Sequence, residues 1–336
     1  MKEEKDKVLD QPHLKEGVFR LQELFFGFAP PTVIGTAARL NLFPALERPA
    51  SAEEIAQGLN LSRRGVERLL NALAALGILT PDKGRFALSV EYAPLLSPSS
   101  PLYLGDFFAH ATVLQENWIR LPEVVATGMP LDRKREPSFF ATLARGLFAV
   151  NWFPATELAE RYTPPSGRVL DVAGGSGVWS IALLRQHPNL DATVLDLPPV
   201  VEDAAIPTIE RLGLSDRYSF IKGNLFEVPW GEGYSSVVLG HICHSFGKEG
   251  IAKILETAKK ALAPYGEVVI VDFLMDNQDP FPHLFSINML VATEEGGVYS
   301  KEEYASLAEG AGMKVKEFIP FSSPWSSGAM IVTPKA

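Results

Sequence analysis

Two histidines, His241 and His244, follow a short apolar segment and are candidates for acid–base chemistry. They lie three residues apart, so they share one face of a helix if the preceding strand has ended. An imidazole titrates near neutral pH, and either side chain is therefore suited to act as a general base. Asp272, at the end of a later strand-like segment, could fix the tautomer of such an imidazole and stabilise its protonated form. The alternative is that both histidines are hydrogen-bonded core residues and that Asp272 binds backbone donors.

A glycine-rich turn at 173–177 indicates where a ligand could bind. The β-branched and leucine run before it contains Asp171, and the chain then breaks into small residues and resumes as a helix. Gly174, Gly175 and Gly177 let a ligand approach the backbone where a Cβ would collide. A strand, a tight turn and a helix N-terminus hold nucleotide-like ligands in open α/β sheets, although such turns also occur for packing alone.

Polar residues follow the next two strand-like segments as well. Asp196 ends the second segment, and a carboxylate there can accept both hydroxyls of a ribose. The third leads to Lys222-Gly-Asn-Leu-Phe226, where a polar group precedes apolar ones that suit the edge and face of an adenine. Asp196 could instead cap the helix after Pro198, and Asn224 could simply form a turn. Their recurrence at consecutive strand ends favours a nucleotide-type site.

Composition limits the class of protein. The 336 residues suffice for two domains, and 46% hydrophobic with 21% charged residues is typical of a globular protein. The net charge of −9 argues against a surface that attracts phosphate backbones. The single Cys243 excludes an intrachain disulfide, and no ligands with zinc spacing accompany it, so no metal site is predicted. Without a signal peptide or a run of about 18 apolar residues, the sequence predicts a cytoplasmic protein away from membranes.

The second half of the chain, from about Pro164, alternates strands and helices, which predicts βαβ units and a mostly parallel sheet. Helices are expected at 181–186, 200–212, 248–263, 285–293 and 300–310. Strands are expected at 168–172, 192–196, 218–222, 235–240 and 267–273, with a late pair near 314–319 and 328–332. That late pair is typical of methyltransferase sheets.

The first half reads as helical. Ser51 and Glu54 form a capping box, a second helix carries Val66 to Leu76 on one face, and a hairpin near 78–89 forms a wing. This is a winged helix-turn-helix. Arg63, Arg64 and Arg68 could make it a DNA-binding regulator, but neighbouring glutamates and the acidic total oppose that reading.

Four motifs occur in an order and spacing that resemble one family. They are Asp171-Val-Ala-Gly-Gly-Ser-Gly177, Asp196-Leu-Pro198, Gly223-Asn-Leu-Phe226 and Ile242-Cys-His-Ser-Phe246, followed by the late Tyr299–Tyr304 and Ala311-Gly312. The set resembles the class I S-adenosylmethionine-dependent small-molecule O-methyltransferases, which include caffeate, flavonoid, acetylserotonin and bacterial polyketide-tailoring enzymes. The match covers nearly the whole chain.

The resemblance implies an α/β fold in which a C-terminal Rossmann-like methyltransferase sheet follows an all-helical winged-helix N-terminal domain. Residues 1–16 would be a charged arm, 17–100 the dimerisation domain, 101–163 a helical linker contributing to the acceptor pocket, and 164–336 the S-adenosylmethionine-binding catalytic domain. A homodimer without nucleic-acid or membrane partners is expected.

The resemblance also assigns roles to residues. His244 would be the catalytic base, oriented by Asp272. Cofactor contacts would come from Asp171, Ala173, Gly174, Gly175, Gly177, Asp196, Leu197, Asn224, Leu225, Phe226, Gly240 and His241. Phe107, Phe148, Trp152, Phe285 and Met289 would line an aromatic acceptor pocket, with ordinary helix packing as the alternative for each.

The sequence departs from the family pattern at several places. Asn224 replaces the usual Asp, and Gly240 stands where Lys or Arg is often found. Ser245-Phe246 replaces Asp-Trp, and Val298 occupies the place of a second acidic partner for His244. The expected reaction is methylation of a hydroxyl on a small aromatic acceptor; C- or N-methylation within the same family is the alternative.

Overall fold

The computed structural model describes residues 11–131, 137–276 and 278–335, except the side chain of Pro137. The chain divides into two compact units, the first ending at Ser100 and the second beginning at Pro101.

The N-terminal unit is mainly helical. Its elements are α1 (Pro12–Phe26), α2 (Ala29–Arg39), α3 (Leu42–Ala45), β1 (Ala50–Ser51), α4 (Ala52–Gly58), α5 (Arg63–Ala75), β2 (Leu79–Asp82), β3 (Arg85–Leu88) and α6 (Ala93–Leu96). The predicted capping box forms: Ser51 accepts from the Glu54 amide, and the Glu54 carboxylate accepts from the Ser51 amide. The predicted wing is present, but β1 pairs with β3 and makes it a three-stranded sheet, so the unit is not all-helical. Its core packs Leu42, Phe43, Leu70 and Leu73 together.

Helix α1 is the exception to this burial. None of its residues is buried, although the segment from Val18 to Phe28 carries large apolar side chains that are more than half exposed. An apolar surface of this kind is unusual for a monomer and marks an interaction site.

The second unit contains the larger sheet. Its elements are α7 (Gly105–Trp118), α8 (Leu121–Thr127), α9 (Pro137–Arg161), β4 (Arg168–Val172), α10 (Val178–Gln186), β5 (Asp191–Asp196), α11 (Pro198–Val200), α12 (Ile206–Arg211), β6 (Tyr218–Lys222), β7 (Tyr234–Gly240), α13 (Lys248–Ala261), β8 (Leu262–Phe273), α14 (Pro280–Ala292), α15 (Lys301–Gly310), β9 (Met313–Pro320) and β10 (Ser327–Pro334). A π-helical segment spans Val201–Ala205, and 3₁₀ turns span Ser215–Arg217 and Cys243–Ser245.

The seven strands lie in the order β6-β5-β4-β7-β8-β10-β9. The first five are parallel, and β10 pairs antiparallel with both β8 and β9. The predicted alternation and the late strand pair are therefore confirmed. Apolar side chains cover both faces of this sheet, with Trp179 and Leu158 in one cluster and Cys243, Ile254 and Tyr304 in the other.

Three predicted helices differ from the structure. The helix expected at 285–293 begins earlier, at Pro280. The helix expected to run to residue 263 ends at Ala261, because Pro264 cannot continue it and the chain turns directly into β8. The helix expected at 200–212 contains the π segment. Pro207 lacks the N–H that would donate to the carbonyl of Asp203, and that carbonyl instead accepts a bond of 3.1 Å from Arg145 on α9.

None of the described helices is both long and apolar enough to span a bilayer.

Candidate active site

The predicted site residues gather at the carboxyl edge of the parallel strands. Strands β5, β4, β7 and β8 are adjacent, so Asp196, Asp171, Gly240 and Asp272 follow one another across this edge. Open α/β sheets bind ligands where such strand ends meet. The sequence predicted that polar residues recur at the strand ends, and the strand order places them side by side.

The glycine-rich segment after β4 forms the predicted turn, and several of its residues have positive φ. Gly175 and Gly177 have φ values of 59° and 79°, and Ala173 adopts a φ of 50° that is uncommon for a residue with a Cβ. A Cβ on Gly174 would lie 2.7 Å from Cγ of Asp171, so only glycine fits there. The turn leads directly into α10 at Val178 and presents that helix N-terminus to the edge of the sheet.

Asp171 is fully buried below this turn. Its Oδ2 accepts bonds from the amide of Ser180 at 3.1 Å and from the Ser180 hydroxyl at 2.6 Å. Its Oδ1 has no partner among the described residues. Burial, reinforced by the charge of Asp196, raises the pKa of Asp171 to about 7. An unpaired buried acceptor of this kind is costly unless a ligand or water donates to it.

Asp196 lies next to the same turn. Its Oδ2 accepts from the amide of Gly175 at 2.8 Å, and its Oδ1 accepts from the amide of Leu197 at 2.7 Å. Burial raises the pKa of Asp196 to about 6, although both amide bonds act in the opposite direction. Each oxygen retains lone pairs, so the carboxylate can accept two further hydroxyls.

In the segment after β6, the side chain of Asn224 makes the hydrogen bonds of a turn. Asn224 is exposed; its Oδ1 accepts from the amide of Phe226 at 3.0 Å, and its side-chain amide donates to Glu227. Leu225 is half-buried, whereas Leu197 and Phe226 leave 37% and 47% of their surface exposed. Leu197 and Phe226 therefore present apolar surface near the strand ends, against which a flat ring can pack.

His244 and Asp272 form a short buried hydrogen bond. The Nδ1 of His244 lies 2.6 Å from Oδ1 of Asp272, and the carboxylate is completely inaccessible. Asp272 also accepts from the amides of His244 and Phe273 at 3.0 and 2.9 Å. Burial alone would raise the pKa of Asp272, but His244 and His241 outweigh it and hold that pKa below its usual range. An ionised carboxylate that accepts a hydrogen bond from Nδ1 keeps the proton on that nitrogen. The lone pair of His244 is then on Nε2, which is the arrangement of a general base.

Tyr304 contributes to this network, and sequence reasoning gave it no role there. Its hydroxyl donates to Oδ2 of Asp272 at 2.8 Å from a fully buried position on α15. Val298, in the place of the second acidic partner, is itself buried and apolar. Asp272 is therefore held by a phenol and by backbone amides. The only sequence signal was the position of Tyr304 at the end of a recognised motif, which says nothing of where its hydroxyl points.

Packing explains the departure at Gly240. A Cβ there would lie 2.3 Å from the indole of Trp179, so no larger residue fits without moving that ring. The next residue, His241, has a φ of 55° and places its Nδ1 3.4 Å from the same Oδ1 of Asp272.

Aromatic rings surround the two histidines. The rings of Phe285 and His244 lie edge to face with centroids 5.0 Å apart, and Met289 is buried one turn further along α14. Phe273, Phe281 and Trp325 extend this cluster, with Trp325 stacked on Phe281 at 4.3 Å. Sequence reasoning missed these three rings, because they come from a strand end, a helix start and a loop that meet only in the folded chain.

The remaining predicted acceptor residues lie on α7 and α9. Phe148 is buried and stacks on Trp152 at 5.5 Å, and both pack against the core cluster around Trp179. Phe107 contacts Phe108, and its backbone leaves no space for a Cβ on Gly146. These contacts include helix packing, the stated alternative, and the acceptor role of Phe148 and Trp152 stays a prediction.

Known protein families match the two units of the chain separately. A family model described as an O-methyltransferase domain matches residues 123–314, and an O-methyltransferase dimerisation domain matches residues 22–93. The 3-hydroxy-5-methyl-1-naphthoate 3-O-methyltransferase of Streptomyces sahachiroi is 33% identical over 92% of this chain and 93% of its own length. An L-tyrosine C(3)-methyltransferase of Streptomyces lavendulae is 25% identical over 93% of this chain and 91% of its own. The structure of human N-acetylserotonin methyltransferase has the same fold, with a TM-score of 0.83 at 20% identity, covering 95% and 98% of the two chains.

Proposed function

The chain belongs to the O-methyltransferase family, and we propose that it transfers a methyl group from S-adenosylmethionine to a hydroxyl of a small aromatic acceptor, with His244 as the general base. The bond of 2.6 Å between His244 Nδ1 and the buried Asp272 carboxylate carries the proposal, because it fixes the tautomer that a base needs.

The chemistry asks little more of the protein than orientation and proton removal. S-adenosylmethionine supplies an electrophilic methyl group when it is bound. The acceptor hydroxyl gives its proton to Nε2 of His244 as the oxygen attacks, and Asp272 stabilises the imidazolium that results. A phenol has a pKa of about 10, so one well-placed imidazole is a sufficient base.

The strand-end residues fit the cofactor. The unpartnered Oδ1 of Asp171 and the free lone pairs of Asp196 are acceptors for donors of a nucleoside amino acid. Asp196 would accept the ribose hydroxyls, and residues 173–177 would contact the methionine part. Leu197, Asn224, Leu225 and Phe226 would surround the adenine, and Gly240 and His241 would close the site. These assignments rest on residue type and on their common position at the sheet edge.

Cofactor affinity should fall as the pH is lowered from about 8 to about 5.5. The pKa values of about 6 for Asp196 and about 7 for Asp171 mean that both carboxyls take up protons in this range and lose acceptor capacity. Calorimetric titration with S-adenosylhomocysteine at both pH values measures the change. Equal affinity at pH 5.5 and pH 8 would remove these carboxylates from the binding site.

The stability of the free protein should change in the opposite direction. Folding raises the pKa of both carboxyls. Their contribution to stability is fully present when the pH is below their pKa in the unfolded chain. It is lost as the pH rises through their pKa in the folded protein, which is about 6 to 7. Because cofactor affinity is expected to be higher at pH 8, the increase in Tm caused by S-adenosylhomocysteine should be larger at pH 8 than at pH 5.5. Asp196→Asn serves as the control, since it removes one of the two titrating groups.

The acceptor is proposed to be a hydroxylated, fused or extended aromatic compound. The ring cluster of Phe273, Phe281 and Phe285 lies against His244 and favours a flat apolar acceptor. The naphthoate named for the Streptomyces sahachiroi relative belongs to this class. Incubating the protein with S-adenosylmethionine and a panel of naphthols, hydroxynaphthoates and other phenols, with detection of S-adenosylhomocysteine, tests the proposal. Failure of every phenol, with turnover of amines or carbon acids instead, would contradict it.

Carbon methylation is the second candidate, because a relative named as an L-tyrosine C(3)-methyltransferase shares almost the full length of the chain. Carbon-13 labelled S-adenosylmethionine separates the two reactions, since an aryl ether methyl and a ring-bound methyl have distinct NMR shifts.

A homodimer is proposed from the match to the dimerisation domain and from the uncovered apolar side chains of 18–28. Sedimentation should give a mass about twice that of the 36.7 kDa chain. Replacing Leu21 and Phe25 by glutamate should shift the protein toward monomer, whereas the same change at the exposed Val90 should not. A wild-type mass near 37 kDa would contradict the dimer.

A cytoplasmic location and the absence of nucleic-acid partners remain predictions. On the predicted recognition helix, Arg63 already pairs with Glu53 at 3.1 Å, which reduces the charge available to phosphates. A salt-dependent gel shift with random duplex DNA tests this point.

A further inference from the structure

Asp272 is shared by two imidazoles, although one histidine would suffice for a base. Both His241 and His244 direct Nδ1 at the same oxygen, Oδ1, at 3.4 and 2.6 Å. Their ring centroids are 6.0 Å apart, and both side chains are nearly buried, with exposures of 13% and 10%. One negative charge therefore serves two groups that can each become positive.

The position of His241 is fixed at some conformational cost. Its φ of 55° lies in the left-handed region, which is unusual for a large side chain. Its amide donates to the carbonyl of Val271 at 2.8 Å, and its ring lies 4.5 Å from Phe273 and 5.7 Å from Trp179. Strained backbone that is held by its surroundings is often found at functional sites.

The charged and titratable groups around this pair come from several elements. They are Asp272 on β8, Cys243 in the same turn, Tyr299 and Tyr304 beside the carboxylate, and Glu295, whose side chain lies against Gly247. Burial raises the pKa of the Cys243 thiol, and burial followed by the charge of Asp272 raises that of the Tyr304 hydroxyl, so both remain neutral. Asp272 is then the anion in hydrogen-bond contact with both histidines.

We propose that His241 is a positioning residue that shares the Asp272 carboxylate with His244 and thereby keeps His244 unprotonated, and active as a base, to lower pH. A hydrogen bond from His241 takes part of the carboxylate charge that would otherwise stabilise the His244 imidazolium. When His241 is itself protonated it repels a second positive charge only 6.0 Å away. Both effects disfavour proton uptake by His244. The inference rests on the proposed role of His244 as the base.

NMR titration of carbon-13 labelled histidine in the free protein tests the inference without an acceptor. The wild-type signals of His241 and His244 should titrate as a coupled pair, each showing both steps. In His241→Asn, the midpoint of His244 should rise by about half a pH unit or more. Asparagine tolerates the left-handed backbone and cannot become charged. His187→Asn is the matched control, because that imidazole contacts the carbonyls of Ala159 and Tyr162.

Turnover gives the second readout. With a phenol found by the acceptor panel, the ratio of kcat at pH 6 to kcat at pH 8 should be about threefold or more lower in His241→Asn than in the wild type. A His244 midpoint that does not move, or two independent single-step titrations in the wild type, would overturn the inference. The wild-type titration decides the matter even if the variant does not fold. Absence of turnover with every phenol would instead contradict the proposed function.

Discussion

His244→Ala is expected to lower kcat by about two orders of magnitude or more and to leave the dissociation constant of S-adenosylhomocysteine nearly unchanged. The imidazole is the group placed to receive the acceptor proton, and without it the hydroxyl must lose its proton to water. Binding of the cofactor should be preserved, because most of the residues proposed to hold it follow β4, β5 and β6, whereas His244 lies in the turn after β7.

The measurement separates a chemical role from a structural one. Steady-state kinetics with an identified phenol gives kcat, and calorimetry gives cofactor affinity for the same preparation. Asp272 keeps bonds from the hydroxyl of Tyr304 and from the amides of residues 244 and 273 in this variant, so the fold should survive. His187→Ala is the control for loss of a partly buried imidazole. A variant that turns over at the wild-type rate would exclude His244 as the base.

Asp196→Ala is expected to weaken cofactor binding by about 100-fold, since two hydrogen bonds to a charged acceptor are worth about 1.5–3 kcal/mol each when they are fully formed. Part of the lost affinity should come from a less ordered turn at 173–177, because Oδ2 of Asp196 also accepts a hydrogen bond from the amide of Gly175. At saturating S-adenosylmethionine, kcat should fall by less than about fivefold, because Asp196 is proposed to bind the ribose and not the acceptor.

The same strand supplies the control for this second variant. Asp191 stands at the other end of β5 and is exposed, so Asp191→Ala removes an equal charge from the same element at a distance from the site. It should leave affinity unchanged. Asp196→Asn should give an intermediate loss, because an amide keeps one acceptor oxygen. If titration of Asp196→Ala shows wild-type affinity, Asp196 does not bind the ribose.

The sequence was sufficient for features that depend on local physical chemistry. Hydrophobic periodicity located the five parallel strands and the winged helix, and the residues at 173–177 predicted a tight turn between a strand and a helix. The polar residues Asp171, Asp196 and Asp272 were recognisable because each ends an apolar strand. The family resemblance, confirmed by the comparisons, added the expected chemistry.

Features that depend on side chains from distant segments were beyond the sequence. The hydroxyl of Tyr304 reaches Asp272 across 32 residues, and Trp325 joins Phe281 across a loop. From the sequence alone, nothing explained why Gly240 replaces the Lys or Arg of the family pattern. The structure shows that the indole of Trp179 occupies the space that a side chain would need. Likewise, the sequence allowed Asn224 an adenine contact or a turn, and only the structure shows that its side chain makes turn bonds.

The sequence by itself determined the strands, the turn and the types of residue at the strand ends, because these follow from periodicity, backbone conformation and side-chain chemistry along a short stretch of chain. Only the tertiary structure decided that His241 and His244 share one oxygen of Asp272 and that aromatic rings enclose them. The reason is that strand order and burial bring these groups within a few ångströms of one another. Burial also strengthens the electrostatic interaction of the one carboxylate with both imidazoles.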